Sequence, residues 1–205
     1  MGTRNITNVY IDGVQKLCQY GQWDGYPTGA GRDIMDFIRR SDDERMSGRL
    51  RDVELHVCKE GDLVYFTGYP ATDEIADVLR ERDDYLRANF RLDYEDNKRA
   101  AMEHVTNKFG KDIVLRAMLA TRDTGCDALN LIYDSDCHVD TWTEPYLLGN
   151  DGDWQIEAVW KLDYDNKVLT GIWHDEIKSW TFDEIRGWTE DEMVAVLKAY
   201  DGWYD

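Results

Sequence analysis

Ile6-Thr7-Asn8-Val9-Tyr10-Ile11-Asp12-Gly13-Val14-Gln15-Lys16-Leu17-Cys18-Gln19-Tyr20 is the stretch that decides the fold. Two strand-like runs, 6–11 and 14–20, flank Asp12-Gly13, and both residues of such a two-residue turn must tolerate positive φ. This predicts a β-hairpin. If it forms, Arg4 and Asn5 lie near Gln19 and Tyr20 across the ladder, next to the loop that follows. Arg4 is then placed to pair with Asp24.

That loop, Gly21-Gln22-Trp23-Asp24-Gly25-Tyr26-Pro27-Thr28-Gly29-Ala30-Gly31, holds four glycines and a proline. Flexible backbone carrying a dense set of polar and aromatic side chains suits a binding loop. The candidate binding residues are Arg4, Gln22, Trp23, Asp24, Tyr26 and Arg32. Ile34, Phe37 and Ile38 predict a helix from about Arg32 to Arg40, whose start offers free amides and a favourable dipole to a phosphate or carboxylate. The loop lacks the Gly-Lys-Ser/Thr ending of a Walker A motif and is not a dinucleotide fingerprint. The competing reading is a structural Ω-type loop in which Trp23 and Tyr26 plug the edge of the core.

Further along, helical periodicity appears from Thr72, from about Tyr94 to Phe109, and from about Ile113 to Tyr133, with a break near Asp123-Thr124-Gly125. Residues 47–66 fit either a strand or a helix. Alternating Trp154, Ile156, Ala158, Trp160 and Leu162, then Asp163-Tyr164-Asp165-Asn166 and Lys167–Trp173, predict a second hairpin. Thr189 and Glu192 form a capping box ahead of Met193, Val196 and Leu197, so a helix ends the chain. The order hairpin, helices, hairpin, helix predicts a single α+β domain over 1–205: an antiparallel sheet built from an N-terminal and a C-terminal hairpin, with helices packed on it.

The formal net charge is −18, and residues 134–205, with 18 acids and 5 bases, carry −13 of it. Phosphate binding draws mainly on Lys and Arg, so duplex DNA is disfavoured as a partner. The basic run Arg32, Arg39, Arg40, Arg45, Arg49 and Arg51 leaves RNA or a nucleotide open. No run of 18 apolar residues and no leader follows Met1, which predicts no membrane span and a cytoplasmic location. Met-Gly-Thr-Arg-Asn-Ile puts Ile6 where a myristoylation signal wants Ser or Thr, so Gly2 reads as structural. Cys18, Cys58, Cys126 and Cys137 lie far apart and form no C-x-x-C pair, which predicts reduced, mostly buried thiols.

Catalytic signatures are missing from the sequence. The four histidines, His56, His104, His138 and His174, are scattered, no H-E-x-x-H motif links any two, and no G-x-S-x-G elbow is present. Asp134-Ser135-Asp136-Cys137-His138-Val139-Asp140 alternates acids with a histidine, as a cation cage on an extended strand would. It fails as an EF-hand, with Val139 at position six and Pro145 at position twelve. It reads better as a solvated acidic loop, so no metal and no cofactor are assigned. Seven of the eight tryptophans, Trp142, Trp154, Trp160, Trp173, Trp180, Trp188 and Trp203, fall in the acidic third. Trp154, Trp160 and Trp173 are expected in the core of the second hairpin, whereas Trp188 and Trp203, near helix ends, are expected to be exposed.

Met1-Gly2-Thr3-Arg4-Asn5, Gln19-Tyr20-Gly21-Gln22-Trp23-Asp24-Gly25-Tyr26-Pro27 and Arg122-Asp123-Thr124-Gly125 together resemble a family of phage and prophage proteins of unknown function. A thinner likeness, Met-Gly-Thr-Arg ahead of a Tyr-Pro glycine loop and an Asp-x-Asp hairpin such as Asp163-Tyr164-Asp165, extends to cellular proteins. The resemblance implies a phage setting, hence the host cytoplasm, and transfers no catalytic residue. The leading expectation is an interaction protein that modulates a host protein, including a nucleic-acid-binding one. Its most concrete form is a counter-defence inhibitor such as an anti-CRISPR protein. The alternatives are a nuclease-like hydrolase using the 21–31 loop and a protein that binds a nucleotide signal.

Overall fold

The computed structural model describes residues 2–58, 72–89, 94–121, 124–136, 138–144, 147–149, 152 and 156–202. Asp12 and Gly13 adopt φ values of 53° and 69°. They turn β1 (Asn5–Ile11) into β2 (Val14–Gly21) as an antiparallel pair. The register slips between Val9 and Tyr10, so Asn5 stands opposite Gly21 and Thr7 opposite Gln19. That bulge places Asn5 one residue closer to the loop than a regular ladder would, opposite Gly21 instead of Tyr20.

After an irregular turn at Pro27–Gly31 come α1 (Arg32–Arg40), α2 (Asp43–Arg51) and β3 (Val53–Val57). The ambiguous stretch thus resolves as the end of a helix followed by a strand, and residues 59–66 lie outside the described residues. Then follow α3 (Asp73–Ala88), α4 (Tyr94–Phe109), α5 (Lys111–Leu119), α6 (Ala128–Asp134) and β4 (Val139–Thr143). The chain continues through β5 (Ala158–Asp163), β6 (Val168–Trp173), β7 (Glu176–Thr181), α7 (Phe182–Gly187) and α8 (Glu190–Asp201). Thr181–Glu184 and Thr189–Glu192 close capping boxes that start the last two helices.

The fold is α+β. A mostly antiparallel five-stranded sheet runs in the order β2-β1-β5-β6-β7 and carries both hairpins. The hairpins meet along a parallel β1–β5 pair. Their tips are joined as well, because the Asp165 carboxylate accepts the Asp12 and Gly13 amides, each at 2.8 Å. β3 and β4 form a separate two-stranded parallel sheet.

The main core gathers β1, β2, β5 and β6 with α1, α2, α6, α7 and α8. Trp160 is fully buried at its centre. A Cβ on either Gly31 or Gly171 would come within 2.6 Å of its ring, so both positions require glycine for this close approach. Trp173 and Trp180 are also buried, and Trp188, expected to be exposed, packs part-buried against this core. Trp154 and Trp203 lie outside the described residues. Among the described residues no helix is long and apolar enough to cross a membrane.

Candidate functional site

The 21–31 loop is held by the core beneath it. The Trp160 indole donates to the Gly25 carbonyl at 3.1 Å, and the Thr28 hydroxyl donates to the largely buried Asp201 at 2.5 Å. Asn5, only 1% exposed, donates its side-chain amide to the carbonyls of Gly21 and Trp23 at 3.3 and 3.2 Å. Among the described residues its buried Oδ1 has no hydrogen-bond partner. The backbone is therefore fixed by side chains from β1, β5 and α8.

On one side of this loop opens a cleft of about 520 Å³. Gln22, Trp23 and Asp24 face it from the loop, Asn5 forms part of its wall, and Asp33, Thr124, Gly125 and Asp127 close it. Segments that share the sequence resemblance, around residues 5, 22–24 and 124–125, thus converge on one cleft. Arg122 and Asp123 of that motif lie outside the described residues. Trp23 is 65% exposed at the rim. Asp24 sits at φ 52°, a left-handed conformation that Asp tolerates better than most side chains.

The cleft is acidic on balance, since Asp24, Asp33 and Asp127 outnumber the Lys98 that also lines it. Asp33 is held above the usual carboxylate range, first by desolvation and then by the negative charges of Asp127 and Asp36, with Asp24 adding to them. Burial pushes the neighbouring Cys126 thiol up, reinforced by Asp127 and Asp33, which disfavours its thiolate. Cys18 and Cys58 are buried free thiols, and Cys137 lies outside the described residues.

The other candidate residues go elsewhere. Tyr26 lines a second cleft of about 870 Å³ with Thr28, Glu157, His174 and Asp201, while its hydroxyl donates to Asp24 at 3.2 Å. Arg4 does not reach Asp24 but lies beside Glu157, its amide donating to that carboxylate at 2.8 Å and its guanidinium 3.8 Å away. The parallel β1–β5 pair brings Glu157 there. Arg32 and Arg39 both bind Glu190, at 2.6 and 2.9 Å. Arg49 pairs with Asp136 and Arg51 with Asp12, so much of the basic run is committed within the molecule. The amides of Gly29, Ala30 and Gly31 donate to carbonyls of Tyr26 and Asp24. A phosphate would have to displace those bonds, and it would meet acids on arrival.

The 134–140 run also divides. Asp136 turns to Arg49, whereas His138 and Asp140 meet Glu54 and His56 of β3. Asn5, Asp33 and Asp127 at the cleft, and Glu54 and His56 on β3, are not among the candidate site residues that the sequence offers. Only Asn5 carried a signal, as the last residue of the Met-Gly-Thr-Arg-Asn motif. No protein-family model, curated protein or solved structure matches this chain.

Proposed function

We propose that the protein is a phage-encoded interaction protein, and that the acidic cleft between the 21–31 loop and the 124–127 turn receives a basic surface of a host protein. The observation that carries this reading is the exposed Trp23 at the rim of a cleft walled by Asp24, Asp33 and Asp127, three acids against the one lining cation Lys98. An aromatic anchor surrounded by like charge suits a partner that brings Lys or Arg, and a net charge of −18 steers such a partner toward it. Asn5 fixes the loop before binding, which lowers the ordering cost. A nucleic-acid-binding host protein has the required basic surface, and occupying that surface is the counter-defence version of the role. The hydrolase and nucleotide-binding alternatives gain less support, since the loop amides are paired and the cleft wall is negative.

The test is capture from bacterial lysate at moderate salt with the wild type, Trp23→Ala and Asp24→Asn. A specific basic protein retained by the wild type is expected to be lost with Trp23→Ala, at an affinity cost of about 2 kcal/mol or more. Because Trp23 is exposed, its stability cost stays within roughly 0.5 kcal/mol. Retention of labelled RNA or a cyclic nucleotide, with no protein captured, would replace this reading by the nucleotide one.

A further inference from the structure

β3 and β4 run parallel, with Glu54 opposite Asp140 and His56 opposite Trp142. Strand side chains alternate, so Glu54, His56, Asp140 and Trp142 share one face. On the other face Val53, Val139, Thr141 and Thr143 are buried. His138 immediately precedes β4. Its Nε2 lies 3.6 Å from Asp140 Oδ1 and 4.0 Å from Glu54 Oε2. His56 Nε2 lies 2.7 Å from the same Asp140 oxygen. Glu54, His56 and Asp140 each offer a ligand atom within 4.8 Å of the others.

We propose that Glu54, His56, His138 and Asp140 form a binding site for a divalent transition-metal ion, with Zn²⁺ as the expected occupant. Zinc–nitrogen and zinc–oxygen bonds of about 2.0–2.2 Å in a tetrahedron separate neighbouring ligand atoms by roughly 3.3–3.6 Å. His138 lies 3.6 Å from Asp140 and 4.0 Å from Glu54 but outside the group that Glu54, His56 and Asp140 form, so it joins them by turning its exposed ring toward His56, while the His56–Asp140 contact reaches the range by opening roughly 0.6 Å. Two imidazoles with two carboxylates select zinc and its transition-metal neighbours over calcium or magnesium, which prefer all-oxygen sets. Trp142 stacks on the His56 ring, 5.6 Å between centroids at 29°, and so orients the imidazole toward Asp140.

With His138 turned in beside the grouped Glu54, His56 and Asp140, four protein ligands would close the coordination shell, which is the structural type of zinc site. Its effect would be to fasten two strands whose ligands, His56 and Asp140, stand 84 residues apart in sequence.

The test uses the full chain after chelator treatment. Zn²⁺ is titrated by calorimetry, Co²⁺ by visible absorption, and thermal unfolding is followed with and without Zn²⁺. One ion per chain, the intense ligand-field bands of four-coordinate Co²⁺ and a melting temperature raised by Zn²⁺ are expected. His56→Ala and Asp140→Asn each weaken Zn²⁺ binding by at least about tenfold and abolish the thermal shift. His104→Gln, on α4 and away from the cluster, leaves both unchanged. Should either ligand variant fail to fold, His138→Ala, whose side chain is 58% exposed, carries the same expectation. Zn²⁺ affinity unaltered by these ligand substitutions, a six-coordinate Co²⁺ spectrum or no thermal shift would overturn the proposal.

Discussion

The five-stranded sheet with its helices and the α3–α5 layer bury themselves in different ways. Around the sheet the core contains Trp160, Tyr200, Phe37 and Phe182, all essentially inaccessible. Their rings pack edge to face, Trp160 on Tyr200 at 6.3 Å and Tyr164 on Phe182 at 5.2 Å. The second core consists of Ile75, Val78, Leu79, Val105, Val114, Ala117, Met118 and Ala120, with no fully buried aromatic ring among the described residues. Leu131 of α6 touches both. Burial energy follows apolar area, so a core of aromatics stabilises more per residue than one of Ala and Val. The helical layer is the part expected to open first.

The largest effect belongs to Trp160→Ala, which removes the centre of the sheet core. It should cost about 3–5 kcal/mol and lower the denaturation midpoint as read by every probe. Leu79→Ala should cost about 2–3 kcal/mol, and hydrogen exchange should accelerate in α3–α5 while β1, β5 and β6 keep their protection. Equal acceleration in both regions would mean that the two cores unfold as one.

The ion clusters sharpen the same contrast. In the sheet region Arg186 and Lys167 hold the Asp43 carboxyl below the usual range. A carboxyl with a lowered folded pKa stabilises above its unfolded value, 3.8, and loses that contribution as pH falls through the folded value. Asp43→Asn is therefore expected to cost about 2 kcal/mol at neutral pH, and its melting curve should converge with the wild type in acid. On the helical layer Glu81 is lowered by His104 and Lys108, but its side chain is 30% exposed against 17% for Asp43. Glu81→Gln should cost less than Asp43→Asn when the two are melted side by side.

What was legible in the sequence follows the range of the interaction. Asp12-Gly13 and the Thr189–Glu192 capping box are local chemistry, and the hairpin and the last helix appear where that chemistry puts them. The parallel pairings β1–β5 and β3–β4 have no local signature, since no turn joins their strands. β7 is an edge strand with Trp180 as its one buried residue, so it lacks the alternation that marks a strand with one face in the core. Several residues of the 21–31 loop do line a cleft. Its wall nevertheless comes partly from Asp33 and Asp127, which only tertiary structure brings together. Arg4 shows the same limit: the hairpin predicted its position, but a strand from the far end of the chain supplied its neighbour.

The parallel β1–β5 pair also bears on how the chain leaves the ribosome. Across that seam Asp12 and Asp165, which lock the hairpin tips together, lie 153 residues apart. At synthesis rates of about 5–20 residues per second, the first hairpin waits roughly 8–30 seconds for its partner. During that interval the inner edge of β1, with Ile6, Val9 and Ile11 along it, presents unpaired amides and carbonyls to any other strand nearby. Nascent chains of this protein therefore depend on being kept apart until β5 has been made.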